Sequence, residues 1–443
     1  MRRKVIFRFL LSLIIGLMVY FLPINIPAEA HAVLAIAIAI GILWFTEAVP
    51  IHVTALMVPL FLVLFTKTSV TNSFSPFFDP VVVLILGGFV LGRALTKYHL
   101  DEEIAYFFIH KIGKTPKKFL LGLMLATGFI SFWMSNSAAA AVMMPIAAVV
   151  LIDSGLKHLK SNYAKATVLG VAFASTIGGF GSLVGTPPNV IAVKFLSDIS
   201  INISFLDWFY YALPFTITLL FVAWFVLLQF FKPEINKLKI KKVPSKLTSQ
   251  QKSVFAIFFL TVILWIVSGL YGISASIIAL VPIILYYLFN FLNTEDFGKL
   301  HWDMIILIGG GLSLGSAIVS SGLNDVIASS MVSLLAGNSL FVILALVALF
   351  SITISMVAPN TAAASFLVPI MIPTAATLGV DPRILVLLAG MAVSLDFMMP
   401  VGTPPNAIAY STGYIRFKDM VKVGVVLVIL AALLLSFLAW LYW

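Results

Sequence analysis

Five residues recur as a block. Gly185-Thr186-Pro187-Pro188-Asn189 returns as Gly402-Thr403-Pro404-Pro405-Asn406. The next three positions match as well, Val190-Ile191-Ala192 against Ala407-Ile408-Ala409. The chemistry such a block offers is that of exposed backbone. Glycine ends a helix well, and paired prolines cannot continue one. Threonine is a good N-cap, and the first proline suits the first helical position. Each block therefore predicts a helix that stops and restarts. The restarted half-helix offers free N–H groups and partial positive charge to an anion. The half-helix before it leaves carbonyl oxygens for a cation.

A second motif precedes each block. Ser135-Asn136-Ser137-Ala138-Ala139-Ala140 stands before the first, and Pro359-Asn360-Thr361-Ala362-Ala363-Ala364 before the second. A Pro-Ile pair follows nine residues after each Asn, at Pro145-Ile146 and Pro369-Ile370. Asn136 with Ser137, and Asn360 with Thr361, are expected to cap the alanine-rich helices that follow. A lone Gly-Thr-Pro-Pro is most simply a kink, and small residues after an Asn can be a packing face. Two motifs duplicated in the same order favour a binding role. Four helix N-termini would then converge on one anion, and four C-termini would supply carbonyls to cations.

The setting is a membrane. The chain has 443 residues, 61% hydrophobic and 10% charged, with a mean hydropathy of +1.13. Soluble domains carry roughly 25% charged residues. With no cysteines, disulfides and thiolate metal sites are excluded. The net charge of +10 fits basic membrane-flanking loops better than nucleic-acid binding. Apolar runs predict spans at 5–24, 32–49, 51–66, 80–96, 166–197, 208–231, 253–271, 273–292, 303–320, 384–415 and 420–442. The run after Arg2-Arg3-Lys4 is read as a first transmembrane helix rather than a signal peptide. Stretches 118–151 and 339–378 are each broken midway by the Asn motif and predict re-entrant hairpins.

Charge tests this all-α arrangement of eleven spans plus two hairpins. With the N-terminus inside, the inside loops are 97–117, 152–165, 232–252, 293–302 and 416–419. Lys97, Lys111, Lys114, Lys117, Lys157, Lys160, Lys165, Arg416 and Lys418 fall in them, and 232–252 alone holds seven lysines against one glutamate. The outside loops 67–79, 198–207, 321–338 and 379–383 hold only Lys67 and Arg383 as basic residues. This obeys the positive-inside rule, and it places the C-terminus outside. It works only if both hairpins return to the side they entered. The two halves, 1–231 and 253–443 about the 232–252 linker, then have opposite orientation. Their preceding spans also match, with Gly87-Gly88 and Gly92 in one and Gly310-Gly311 and Gly315 in the other. Inverted repeats with discontinuous helices mark secondary transporters, with the site near the midplane. Segments 99–113 and 322–336 are amphipathic and expected at opposite interfaces.

Charged residues within spans are functional by default. Asp396, six residues before Gly402, is a candidate cation or proton ligand; its plainer reading is a carboxylate bonded to neighbouring backbone. Arg93 is expected to snorkel to the inside face, and Asp303 to mark a helix start. Glu47 and Asp79 lie nearer the interfaces. No phosphate-binding loop, clustered metal ligands or Ser-His-Asp arrangement supports an ATP-driven pump or an enzyme.

The paired motifs resemble the divalent anion/sodium symporter family of sodium-coupled dicarboxylate, citrate and sulfate carriers. Its signature is two Ser-Asn-Thr tips, each followed by a Thr-Pro-Pro break. The resemblance covers nearly the whole chain, from Trp44-Phe45-Thr46-Glu47-Ala48 through both glycine-rich spans, both tips and both breaks. It implies scaffold and transport domains, a homodimer, and an elevator movement of one domain against the other. It implies a first sodium site at Ser131, Ser135, Asn136 and Gly185. The second falls at Ser355, Ala358, Asn360 and Gly402, largely through carbonyls. It implies a substrate site at Asn136, Ser137, Thr186, Asn360, Thr361, Thr403 and Pro404. The chain departs from the signature at Ser137, and at Pro359, which removes a hydroxyl and an N–H.

The expected function is sodium-coupled symport of a small divalent anion, first a C4-dicarboxylate such as succinate, malate or fumarate. No cofactor is expected beyond sodium as coupling ion. Sulfate or citrate symport and sodium-independent dicarboxylate exchange are same-class alternatives, and an ion channel is the alternative from another class.

Overall fold

The computed structural model describes residues 2–113, 115–240, 246–400 and 402–443. Lys114 of the first basic loop and positions 241–245 of the linker lie outside the described residues, as do the side chains of Arg2 and Arg3. Every described element is helical. Among the described residues, ten helices are long and apolar enough to cross a membrane. Shorter apolar helices, such as Ile51–Phe65 and Ala275–Leu288, stand among them. With its long apolar helices, the protein is an integral membrane protein.

Each expected span has a helix, and the differences lie at the ends. The 32–49 span begins earlier, as Ala28–Thr46 behind Pro27. The 208–231 span becomes Phe205–Phe230, opened by a capping box of Ser204 and Asp207. The 273–292 span is shorter, Ala275–Ile278 followed by Leu280–Leu288. Asp303 lies in the first turn of Trp302–Ser320, as expected.

One string of elements occurs twice. Pro116–Ser131, Asn136–Asp153, Asn162–Gly178, a break, Pro187–Asp198 and Phe205–Phe230 form the first. Leu340–Ser355, Asn360–Leu378, Pro382–Ala392, a break, Pro404–Ser411 and Phe417–Tyr442 form the second. Before each stands a glycine-rich helix, Pro80–Lys97 or Trp302–Ser320, and then a shorter amphipathic one, Leu100–Ile112 or Leu323–Leu335. Both amphipathic helices start behind a left-handed residue, His99 at φ 54° and Gly322 at φ 74°. The first packs on Pro116–Ser131 and the second on Asn360–Leu378, one arm of each hairpin.

The two strings exchange contacts reciprocally. A Cβ at Gly87 would stand 2.6 Å from the Ala279 Cβ, and one at Gly310 would stand 2.5 Å from the Ala55 carbonyl oxygen. Each glycine-rich helix thus lies against the short helix of the other half. The restarted half-helices do likewise. Pro187–Asp198 packs on Asn360–Leu378 and Pro382–Ala392, while Pro404–Ser411 packs on Asn136–Asp153 and Asn162–Gly178. Contacts in which i meets j and the counterpart of j meets the counterpart of i are what a two-fold relation produces.

Arg93 reaches the 293–302 loop, which the charge pattern places inside. Its guanidinium is held by Asp296 at 2.8 Å, and Lys97 takes the other carboxylate oxygen at 2.6 Å. The Arg93 side chain is 26% exposed and that of Asp296 only 5%. This pairing ties Pro80–Lys97 to the short helix Thr294–Gly298.

Candidate functional site

The first break is organised by Asn189. Helix Asn162–Gly178 tightens into one 3-10 turn, Gly179–Gly181, and the chain restarts at Pro187 behind an extended Thr186. Asn189 is fully buried, and its Nδ2 donates to the carbonyls of Gly179 and Ser182, both at 2.8 Å. The second break repeats this position for position. Asn406 is fully buried, and its Nδ2 donates to the carbonyls of Asp396 at 3.2 Å and Met399 at 3.0 Å. In the aligned blocks Asp396 stands where Gly179 stands, and Met399 where Ser182 stands. Two carbonyls of each break are therefore engaged, not left wholly free. This role of Asn189 and Asn406 was missed in the sequence. The signal was present: in both blocks the Asn follows the Thr cap at the third helical position.

The threonine caps differ between breaks. Thr403 Oγ1 accepts the Asn406 N–H at 3.4 Å. Thr186 occupies the cap position without a side-chain cap bond. Both are almost completely buried. The first break is enclosed throughout, whereas Pro404 at the second is exposed.

The first hairpin tip corrects the expected caps. Ser135 is the N-cap, accepting the Ala138 N–H at 3.3 Å, and Asn136 is already the first helical residue. The Asn136 side chain is thereby released to face its neighbours. Ser131 Oγ lies 2.9 Å from Asn136 Oδ1 and 2.7 Å from the Ser175 carbonyl. The single Ser131 hydroxyl proton is thus shared between two acceptor oxygens. Ser175 in turn donates to the Asn136 carbonyl. A Cβ at Gly179 would stand 2.4 Å from Asn136 Oδ1, and one at Gly185 would stand 3.0 Å from the Ser131 carbonyl oxygen. The structure thus gathers Ser131, Asn136 and Gly185 around one point. Ser135 stands beside them, with Oγ 3.3 Å from Ser137 Oγ. These are oxygen donors, the kind that hard cations take.

The second tip is built differently. Helix Asn360–Leu378 starts behind Pro359, which supplies no side-chain cap. The Asn360 Oδ1 is buried with no hydrogen-bond partner among the described residues. Ser355 turns its hydroxyl to the Ile352 carbonyl of its own helix at 2.9 Å, so it does not hold Asn360 as Ser131 holds Asn136. Ala358 is half-buried. Gly402 meets the Asp396 carboxylate, whose Oδ2 stands 1.5 Å from the place a Cβ would take. Among the described residues, no hydrogen bond joins Ser355 or Asn360 to this break. Thr361 is nearly buried, and its carbonyl accepts the Ser365 hydroxyl at 2.8 Å.

A cavity of about 120 Å³ reaches the first tip. Met134, Ser135 and Ala138 line it together with Arg93, Lys299 and His301.

Known proteins resemble this chain along its whole length. The family described as the sodium:sulfate symporter transmembrane region matches residues 3–443. An uncharacterized transporter of Haemophilus influenzae is 33% identical over 97% of this chain and 96% of its own length. The sodium-dependent dicarboxylate transporter SdcS of Staphylococcus saprophyticus is 32% identical over 94% of this chain and 88% of its own. Among solved structures, MtrF of Neisseria gonorrhoeae aligns over 98% of this chain and 94% of its own, at a TM-score of 0.60 and 13% identity. The YdaH transporter of Alcanivorax borkumensis aligns over 85% and 88%, at 0.56 and 14%. At those identities the likeness is one of fold. The sequence match is of another order, spanning tips and breaks alike, and on it the chain belongs to the sodium:sulfate symporter transmembrane family.

Proposed function

We propose that this protein carries sodium and a small divalent anion together across the cytoplasmic membrane, with a C4-dicarboxylate such as succinate, malate or fumarate as the anion. The observation that carries this reading is the duplicated break and tip, each restarted half-helix packed on the hairpin arm of the other half. The likeness to the sodium-dependent dicarboxylate transporter SdcS supports the dicarboxylate over sulfate. The site residues include no lysine or arginine, so a dianion there needs positive charge from elsewhere. Sodium supplies it. The first ion binds among Ser131, Ser135, Asn136 and Gly185, and the second among Ser355, Ala358, Asn360 and Gly402. The anion then lies against the N–H groups at the starts of the helices at Asn136 and Asn360 and the positive ends of the helices that restart at Pro187 and Pro404, whose paired prolines carry no N–H, with Ser137, Thr186, Thr361 and Thr403 at its edges.

The domain reading follows from the same pattern. Residues 1–231 and 253–443 are two inverted repeats, supported by the reciprocal glycine contacts and by the lysine-rich inside loops. The N-terminus is then cytoplasmic and the C-terminus outside. Hairpins and broken helices form a transport body that slides as an elevator within a homodimer, as the family resemblance implies.

The test is uptake into proteoliposomes with a competition panel of succinate, malate, fumarate, citrate and sulfate, with sodium or choline outside. Saturable uptake that needs sodium and is blocked best by a C4-dicarboxylate is expected. Uptake indifferent to choline replacement would remove sodium coupling and leave exchange, and unitary currents without saturable counterflow would make the protein a channel.

A further inference from the structure

The two breaks share one backbone design and differ in one side chain that matters. Asn189 clamps the carbonyls of Gly179 and Ser182, and Asn406 clamps those of Asp396 and Met399. The first break needs no side chain at Gly179 to adopt this shape. The carboxylate at the matching position, Asp396, is therefore not required to form the turn. It is nevertheless kept in the most expensive place for a charge, fully buried in a membrane-spanning segment.

Its surroundings do not neutralise it. Oδ1 accepts the Met398 N–H at 3.1 Å, and Oδ2 has no hydrogen-bond partner among the described residues. Of the charged groups on the neighbouring helices Asn162–Gly178 and Phe417–Tyr442, Lys165 pairs with Asp419 at 3.3 Å and Lys422 lies over the Phe230 ring. Ser394 Oγ, on the same break, is also buried and unpartnered among the described residues, whereas the unpartnered Asn406 Oδ1 has a counterpart in Asn189 Oδ1 and is common to both breaks. The unpaired Oδ2 lies against Gly402, which could not carry a Cβ without colliding with it. A buried carboxylate costs several kcal/mol or more unless paired or bound to a metal, by order of magnitude. A buried carboxylate oxygen without a donor fits a cation.

We propose that Asp396 is a direct carboxylate ligand of the second cation, through Oδ2, at the break that carries Gly402. This rests on the sodium-coupled reading above and adds to it a ligand and a charge. The second ion is held by a formal negative charge, whereas the first is held by neutral oxygens of Ser131, Asn136 and Gly185. Asp396 also makes good what the second tip lacks, where Pro359 brings no hydroxyl and Ser355 is turned to its own helix. The pair of cation and carboxylate is neutral, so the second sodium stays bound before any anion arrives.

The experiment uses the full-length purified protein without substrate. Thermal stability is followed against sodium concentration, with potassium holding ionic strength constant. Asp396→Gly copies the residue of the first break, and Asp396→Asn keeps the size and the bond to the Met398 N–H while removing the charge. The wild type should be stabilised by sodium, and both variants should need at least about tenfold more of it, with a shallower dependence. Either variant alone decides the point if the other does not fold. Unchanged sodium midpoints in a wild type that responds would overturn the ligand and leave the transport reading intact. A wild type with no sodium response at all would overturn sodium coupling, and this ligand with it.

Discussion

The Asn189 amide reaches the Gly179 carbonyl oxygen at 2.8 Å and so ties the end of one half-helix to the start of the next. A second bond from the same amide holds Ser182, also at 2.8 Å. In a bilayer no water is at hand to satisfy broken backbone, so the clamp substitutes for the missing helical bonds. Replacing Asn189 by Ala leaves two buried carbonyls without that donor. Each such loss costs about 1–3 kcal/mol. We expect Asn189→Ala and Asn406→Ala each to lower the temperature of irreversible unfolding in detergent. Asp in either place should do no better, since it brings acceptors where donors are needed. An unchanged unfolding temperature in both Ala variants would show that the clamps are incidental.

Ser131 stands between two oxygens, Asn136 Oδ1 and the Ser175 carbonyl. Ser131→Ala removes an oxygen from the first cation set and frees Asn136 Oδ1 from its neighbour. Helix Pro116–Ser131 ends there, so the fold should tolerate the change. The expected outcome is a raised sodium requirement for uptake, about tenfold, with the anion maximum reached once sodium is saturating. A normal sodium dependence would remove Ser131 from the site.

Much of this was legible in the sequence because helix breaks are written in residue types. Gly-Thr-Pro-Pro marked both restarts to the residue, at Pro187 and Pro404. The helix breaks at the two Asn motifs were legible, but the caps were not. Ser135 and Pro359 hold the cap positions, one residue before the Asn. A cap is fixed by where the first helical φ/ψ falls, and a run such as Ser-Asn-Ser offers three candidates for it. The partners of Arg93 and Asn136 were not legible at all. Arg93 meets Asp296 and Asn136 meets Ser175 across long stretches of chain, and packing alone decides such pairs. The twin role of Asn189 and Asn406 was within reach, since both sit at the same offset from a capping threonine.

Gly310 faces the Ala55 carbonyl, with 2.5 Å left for a Cβ, and Gly87 faces Ala279 with 2.6 Å. Atoms that close cannot coexist with a side chain unless the backbone moves. Gly310→Val and Gly87→Val should therefore push each glycine-rich helix away from the short helix of the other half, at a cost of about 1–3 kcal/mol or more. The expected result is a poor yield of monodisperse protein from both variants, and of similar degree, because the contacts are counterparts. If one variant behaved as wild type and the other collapsed, the reciprocal relation would not be mechanical.

Asp296 gives a pH dependence whose sign can be worked out. Burial alone would raise its carboxyl, but hydrogen bonds from Lys97 and Arg93 hold it down, from an ordinary value of 3.8 to about 2. A carboxylate with a depressed value in the folded state contributes stability that is fully present above the unfolded value. That stability is lost as pH falls through 3.8 toward about 2. Asp296→Asn removes the charge and leaves Arg93 and Lys97 without their common partner, so it should destabilise the protein at neutral pH. The gap in unfolding temperature between wild type and variant should be the same at about pH 7 and pH 5 and smaller at about pH 3. The acidic arm isolates the charge, because packing losses caused by the substitution do not change with pH. A gap that stays constant down to about pH 3 would mean that the triad of Arg93, Lys97 and Asp296 stabilises through shape alone.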